Sequence, residues 1–243
     1  LVTEKLFYNL TARDIYYQGV FEGQRLFNPQ NISYFDQEDN FNLHRLEIIG
    51  DDTLNPGKGD GTFVPMNWNR KTYLQGKLIY RHSPFTKLKY TLINDDVSYQ
   101  DYNRMYRYNP DGNLKRYRYG LTQLLQLNHT FSTKTFLNAG ITHFKKSYQH
   151  RTYDRDKWDQ YVHPKLLNSQ PYSFLTGGTD LSIFSRETST STFKADLTSQ
   201  WNSKNKIKLG VEFRQHQLNF NDYSLRPPDE KASFNELSDD PFL

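Results

Sequence analysis

The chain has 243 residues, enough for one large domain or two small ones. Lys and Arg number 31 against 27 Asp and Glu, and this mild net charge of +4 without a long basic run argues against nucleic-acid binding. The absence of cysteine excludes disulfides and Cys-ligated zinc, while 35% apolar residues leave little for a water-soluble core and 16% aromatic residues argue against disorder.

Residues Leu6–Tyr17 alternate loosely, with Leu6, Tyr8, Leu10 and Ala12 on one parity, and are expected to form a strand. Residues 18–68 are rich in Gly, Pro, Asn and Asp and show no sustained period, so they are expected to be a long loop. A short regular piece is allowed over Phe41–Ile49. The first hairpin follows. Leu74, Gly76, Leu78 and Tyr80 run into a turn at Ser83-Pro84-Phe85, and Leu88, Tyr90 and Leu92 return. Matching the apolar parities pairs Leu78 with Tyr90 and Gly76 with Leu92. The parity changes near Asn94–Asp96, where a bulge is expected.

After the turn-forming run Asn109-Pro110-Asp111-Gly112-Asn113, a second hairpin spans about Gly120 to Tyr148. Leu121, Leu125, Leu127 and Phe131 lie on one arm, and Leu137, Ala139 and Ile141 on the other. Thr122, Gln126, Asn128 and Asn138 share the opposite parity. A long connection over about 151–189 leads to the clearest hairpin. There Phe193, Ala195, Leu197 and Trp201, then Ile207, Leu209, Val211 and Phe213, alternate with Lys194, Asp196, Thr198, Lys208, Glu212 and Arg214. A tight turn near Asn202–Asn205 is expected to set Asp196 opposite Glu212.

Short turns and long loops therefore take turns along the chain. In an antiparallel meander this puts all short turns at one end and all long loops at the other. Long strands with one apolar and one charged face, and loops segregated by length, point to a transmembrane β-barrel wall. No stretch reaches the roughly 18 apolar residues of a membrane helix, which does not bear on a barrel. The expected fold is all-β: an antiparallel up-and-down meander of about seven strands over residues 1–243, forming an incomplete wall of a large transmembrane β-barrel. Leu78, Leu125, Leu127, Ala139, Leu197, Leu209 and Val211 are expected on a convex face toward lipid. Gln126, Lys194, Asp196, Thr198, Glu212 and Arg214 are expected on the concave side.

Gly59-Asp60-Gly61-Thr62-Phe63-Val64-Pro65-Met66-Asn67 leads into Tyr73-Leu74-Gln75-Gly76-Lys77-Leu78, and the run Tyr108-Asn109-Pro110-Asp111-Gly112-Asn113 follows. This succession resembles the front half of the barrel of TonB-dependent outer-membrane receptors, particularly those carrying a carboxypeptidase-regulatory-like domain. The resemblance implies about 22 strands around a plugged lumen. It also implies solute import across the outer membrane of a Gram-negative bacterium, with energy from the TonB system. Outer-membrane lipid, the protein's own plug domain, TonB and a small solute are the implied partners. The chain begins at Leu1 and is read as a fragment, with plug, TonB box and further strands outside it. A passive porin or adhesin barrel, and a soluble secreted carbohydrate-binding module, are the alternatives.

Sites of chemistry are scarce. Gly57-Lys58-Gly59-Asp60-Gly61 lacks phosphate-loop spacing, and Asp51, Asp52 and Asp60 match no calcium loop. The seven histidines form no HxxxH or HExxH pair. No catalytic residue, metal site or cofactor is assigned, and the chain is not read as an enzyme. Ligand contact is expected instead from loop aromatics and arginines, namely Arg151, Tyr153, Arg155, Trp158 and Tyr161, and from the lumenal Arg214. Aromatic and Arg side chains dominate binding hot spots. The competing reading is a loop that packs on itself and a charge ladder that stiffens the wall.

Overall fold

A computed structural model describes residues 5–29, 59–161, 174–175 and 177–225. Nine strands are present among the described residues: β1 (Leu6–Gln18), β2 (Glu22–Gln24), β3 (Phe63–Pro65), β4 (Trp68–Ser83), β5 (Thr86–Gln100), β6 (Lys115–Ser132), β7 (Thr135–Arg151), β8 (Ser182–Gln200) and β9 (Lys206–Ser224). Seven of them form one antiparallel sheet in the order β1-β4-β5-β6-β7-β8-β9, so each strand pairs with its neighbour in the meander. The sheet is open, with β1 and β9 at its edges. β2 and β3 form a separate two-stranded ribbon within the stretch read from sequence as a plain loop. Phe41–Ile49 lies outside the described residues.

The hairpins pair as the alternation dictates. Leu78 faces Tyr90 and Gly76 faces Leu92. Leu127 faces Ala139 and Leu125 faces Ile141. Two registers differ from expectation. β5 runs through Asn94–Asp96 without a bulge, in register with both neighbours. In the last hairpin Lys194 faces Glu212, and Asp196 faces Gly210, not Glu212. The three-residue turn Asn202-Ser203-Lys204, closed by Trp201 and Asn205, sets that pairing. A slip of two residues keeps every side chain on its face, so the alternation argument survives it.

Tracing pairs across the sheet shows two unlike faces. One row reads Tyr8, Leu78, Tyr90, Leu125, Ile141, Phe193, Phe213. The next row toward the short turns reads Leu6, Tyr80, Leu88, Leu127, Ala139, Ala195, Val211. All seven residues expected to face lipid lie on this banded face. Leu78, Leu125, Leu209 and Val211 are exposed, Leu209 at 63%, while Leu127 and Leu197 are half-buried. Gln126, Lys194, Asp196, Thr198, Glu212 and Arg214 all lie on the opposite face.

The apolar band runs oblique to the strands. On β4 it occupies Leu74–Tyr80, and on β9 it occupies Ile207–Phe213. Leu78 shares a row with Phe213, so the band's centre slips four residues toward the short turns between β4 and β9. That is about 13 Å along the strand over five inter-strand spacings of about 4.8 Å, an inclination of roughly 30°.

Strands extend well past the band, reaching 19 residues in β8 and β9. The tail of the apolar pattern also changes sides. On β9 the banded face continues as Gln215, Gln217, Asn219 and Asn221, while Leu218 and Phe220 take the other face. On β5 the banded face passes from Leu92 to Asn94 and Asp96, while Ile93, Val97 and Tyr99 take the other. The parity change near Asn94–Asp96 is this inversion of polarity in an unbroken strand.

Candidate functional site

The long connections at one end of the sheet knit into a layer that contains the main buried clusters of the described residues. One cluster joins Tyr161, Leu181, Ile183 and Leu225, with Tyr153, Trp158 and Tyr223 against it. The other joins Met66, Tyr106 and Leu175, with Tyr102 against it. Backbone bonds tie the loops together. Gln24 N donates to Arg107 O (2.8 Å), Phe27 N to Tyr108 O (3.0 Å), Leu175 N to Met105 O (2.7 Å) and Asp180 N to Gly112 O (2.9 Å).

The Tyr108–Asn113 run is the hub of that layer. Arg25 grips Asp111 with Nε at 2.7 Å and Nη2 at 3.2 Å, and the paired carboxylate raises the guanidinium pKa further above its ordinary value. Asn109 is fully buried and its amide donates to Gly178 O at 2.8 Å. Gly178 has φ +81, which favours glycine. Gly112 sits so close that an added Cβ would lie 2.4 Å from Gly178 O. Asp60 serves its own turn, accepting from Thr62 N at 2.9 Å and Thr62 Oγ1 at 2.7 Å. The described residues contain no group of three His, Cys, Asp or Glu able to hold a metal ion.

Five of the six residues expected to contact ligand fall in the β7–β8 connection or at its edge, where Tyr153 engages Tyr161, Arg155 engages Trp158, and Arg151 engages other residues. Tyr161 is 2% exposed. Its hydroxyl accepts from Thr152 N at 3.2 Å and Tyr153 N at 3.1 Å, and it meets the Tyr153 ring edge-on at 5.4 Å. Burial raises the phenol pKa of both Tyr153 and Tyr161 above the usual value. Arg151 binds Asp154 through Nε at 2.7 Å and lies 4.4 Å over the Tyr117 ring. Arg155 lies over Trp158 at 5.6 Å, and Trp158 Nε1 is buried without a hydrogen-bond acceptor among the described residues. Tyr161 lies in the buried loop cluster with Tyr153 and Trp158 packed against it, whereas Arg155 is exposed. Arg214 stands apart, ten residues down β9 from Ser224, or roughly 33 Å of strand. It bonds Glu212 Oε1 at 2.6 Å, while Lys194 Nζ reaches Asp196 and Glu212 at 3.8 Å each.

Sequence reasoning missed a denser constellation on the face opposite the band, where the strands overshoot it. Two adjacent rows matter. One reads Tyr99, Arg116, His150, Phe184, Asp222, and the other Val97, Arg118, Tyr148, Arg186, Phe220. Arg118 Nη2 donates to Tyr99 Oη at 3.0 Å, and its guanidinium lies 5.0 Å over the Tyr99 ring and 5.9 Å over Tyr148. His150 stacks on Phe184 at 5.2 Å, and Phe220 meets Phe184 edge-on at 5.3 Å. Arg116 pairs with Asp101 at 3.0 Å. The signal in the sequence was the period-two spacing of Arg116 and Arg118 with Tyr148 and His150. It is hidden because the expected second hairpin spans only Gly120 to Tyr148, which leaves Arg116, Arg118 and His150 outside it.

This face is cationic throughout. Across the seven strands it carries Arg13, Lys71, Lys77, Arg81, Lys87, Lys89, Arg116, Arg118, Lys146, Arg186, Lys194, Lys206, Lys208 and Arg214. Its acids are Asp95, Asp196, Glu212 and Asp222. The banded face balances Asp14, Asp96 and Glu187 against Arg70, Lys115, Lys145 and Arg151. Comparison with family models, curated proteins and solved structures finds no match for this chain.

Proposed function

We propose that the chain is part of the wall of an outer-membrane β-barrel, of the TonB-dependent receptor kind, that binds a solute and imports it with energy from the TonB system. The observation that carries this reading is the oblique apolar band. Seven strands present lipid-compatible side chains in register on one face, with nothing packed over them among the described residues. The inclination of roughly 30° is close to the roughly 35–45° strand tilt of outer-membrane barrels. Such walls carry an apolar band about 25 Å tall, short turns at one end and long loops at the other. In this reading the seven apolar residues named from the sequence meet lipid, and the cationic face looks into an aqueous lumen. No cofactor or catalytic residue is required.

These 243 residues contain no cysteine, so each thiol introduced among them is unique within the chain. Single cysteines at Leu125, Gln126, Leu127 and Asn128 in the membrane-inserted protein are labelled with a water-soluble maleimide. Alternating reactivity, with positions 126 and 128 labelled and 125 and 127 protected until detergent is added, is the expected result. Uniform labelling of all four positions sinks the membrane reading. Energy coupling is tested separately, by loss of solute uptake when TonB is deleted.

A further inference from the structure

We infer that the loop-end half of the cationic face, centred on Arg118, Tyr148 and Arg186, is a binding site for a solute carrying carboxylates on a flat apolar frame. The location of this site in a lumen rests on the barrel reading; the chemistry of recognition rests on the side chains alone.

The first support is the inversion of polarity described above. Past the band on β5, β8 and β9, the apolar and aromatic side chains lie on the cationic face and the banded face becomes Ser, Asn, Gln and acid, whereas β1 and β6 keep Tyr16, Tyr117 and Tyr119 on the banded face. On the cationic side Tyr99, Tyr148, Phe184 and Phe220 stand in two adjacent rows with Arg118 and Arg186, so rings and guanidinium groups alternate there. Phe220 is 57% exposed there and Tyr17 61%, so this apolar surface is open among the described residues.

The second support is the state of the arginines. Arg116 is already neutralised by Asp101. Arg118 and Arg186 are exposed, and among the described residues neither has an acid within ion-pair distance. Asp95 is the acid one row below, and its carboxylate lies over Gly120, where an added Cβ would meet Oδ1 at 2.2 Å. Arg118 is oriented by the Tyr99 hydroxyl and two rings, yet one hydrogen bond leaves most of its five N–H donors unused. Guanidinium forks match carboxylate geometry in bidentate pairs. Ordering the fork in advance removes part of the entropy cost of binding.

The third support is spacing. Arg118 and Arg186 share a row on β6 and β8, with Tyr148 of β7 between them. Their backbones are two strands apart, roughly 10 Å. A flat ring laid on Tyr148 thus has a guanidinium on each side. Both a uronic-acid oligosaccharide, through the C–H face of its sugar ring, and an aromatic dicarboxylate have this shape and charge.

The experiment measures binding by calorimetry to the membrane-extracted, full-length protein in detergent. The probes are trigalacturonate, its methyl ester, and benzene-1,3-dicarboxylate. At least one of the two acids is expected to bind, with affinity that falls as salt rises, and the neutral ester is expected to bind at least tenfold more weakly. Arg118→Gln and Arg186→Gln should each weaken binding roughly tenfold. Arg118→Lys should recover only part of the loss, because it keeps the charge and loses the fork. Lys145→Gln, on the banded face, should change nothing. The inference is overturned if neither acid binds, if the ester binds equally, or if the Arg118 and Arg186 variants bind as the parent does. A loss of thermal stability in those variants with unchanged affinity also overturns it, and would mean that another part of the protein covers the face. Alternating cysteine labelling without acid binding removes this inference and leaves the barrel reading standing. Uniform labelling removes the barrel reading whatever the calorimetry shows.

Discussion

Leu209→Arg separates a lipid-facing band from an exposed aqueous sheet by magnitude. Leu209 sits near the band's centre on β9, opposite Leu197, and is 63% exposed. If that surface meets water, adding a charge to an exposed strand residue is nearly neutral, within about 0.5 kcal/mol. If it meets hydrocarbon, arginine near the bilayer midplane costs about 2–4 kcal/mol. The two outcomes differ by a factor of at least ten in the folding equilibrium, using about 1.4 kcal/mol per decade. The neighbouring Lys194→Gln, on the cationic face, is the control. Its ammonium is 3.8 Å from both Asp196 and Glu212 and half exposed, so its removal should cost about 1 kcal/mol or less. Urea titration of the full-length protein refolding into lipid vesicles measures both. Equal costs for Leu209→Arg and Lys194→Gln would refute the assignment of faces.

The loop layer yields three further expectations. Gly112→Ala must push a Cβ toward Gly178 O and the Asn109 amide, so a loss of about 1–3 kcal/mol is expected. It should appear as faster protease cleavage in the long loops with the sheet intact; an unchanged cleavage rate would refute the packing. A double-mutant cycle of Arg25→Ala and Asp111→Ala should give a coupling of about 0.2–1 kcal/mol, since both partners are about one-third exposed; a coupling of zero would deny the tie between the loops. Burial raises the phenol pKa of Tyr106, Tyr153 and Tyr161, so the neutral form is the one that folding favours. Their contribution is complete below the unfolded value near 10 and is lost as pH rises past it toward the folded values. Tyrosinate absorbance should therefore show a late-titrating set that moves to near pH 10 in urea; a single transition at 10 in both conditions would contradict their burial.

The sheet was legible where its two faces differ. Phe193, Ala195 and Leu197 against Lys194 and Asp196 fix strand, parity and pairing partner, because the period-two signal measures a contrast between environments. At Ser185, Glu187, Ser189 and Ser191 of β8 the contrast disappears from the banded face, and the sequence reads as a long connection although the strand continues. The expected bulge at Asn94–Asp96 has the same origin: the apolar side changed, not the backbone. The slip between Asp196 and Gly210 reflects where the three-residue turn sits, centred on Ser203 and not on Lys204, a choice that Asn202-Ser203-Lys204-Asn205 does not encode strongly. The loop contacts were beyond reach, since Arg25 and Asp111 lie 86 residues apart and no local pattern joins them. Tyr153 and Tyr161 carried the right composition for a hot spot, but composition alone does not separate an aromatic that binds from one that packs.

The overshoot of the strands divides the wall into two territories under different constraints. A membrane crossing needs about 9–11 residues per strand, and β8 and β9 have 19 each. In the proposed barrel, one side chain in two within the band would be committed to hydrocarbon, and a polar replacement there would carry an insertion penalty. Beyond it, Asp14, Asp96 and Glu187 already show charge tolerated on what was the apolar face. Substitutions around Arg118 and Arg186 thus carry no insertion penalty, while the hydrogen-bonded ladders that run through both halves hold the backbone in place. On the proposed function, such a chain would change what it recognises by altering the upper rows alone, with the lower rows left as an invariant foundation. Grafting the upper rows of β5–β8 from one such wall to another would move specificity without moving membrane stability.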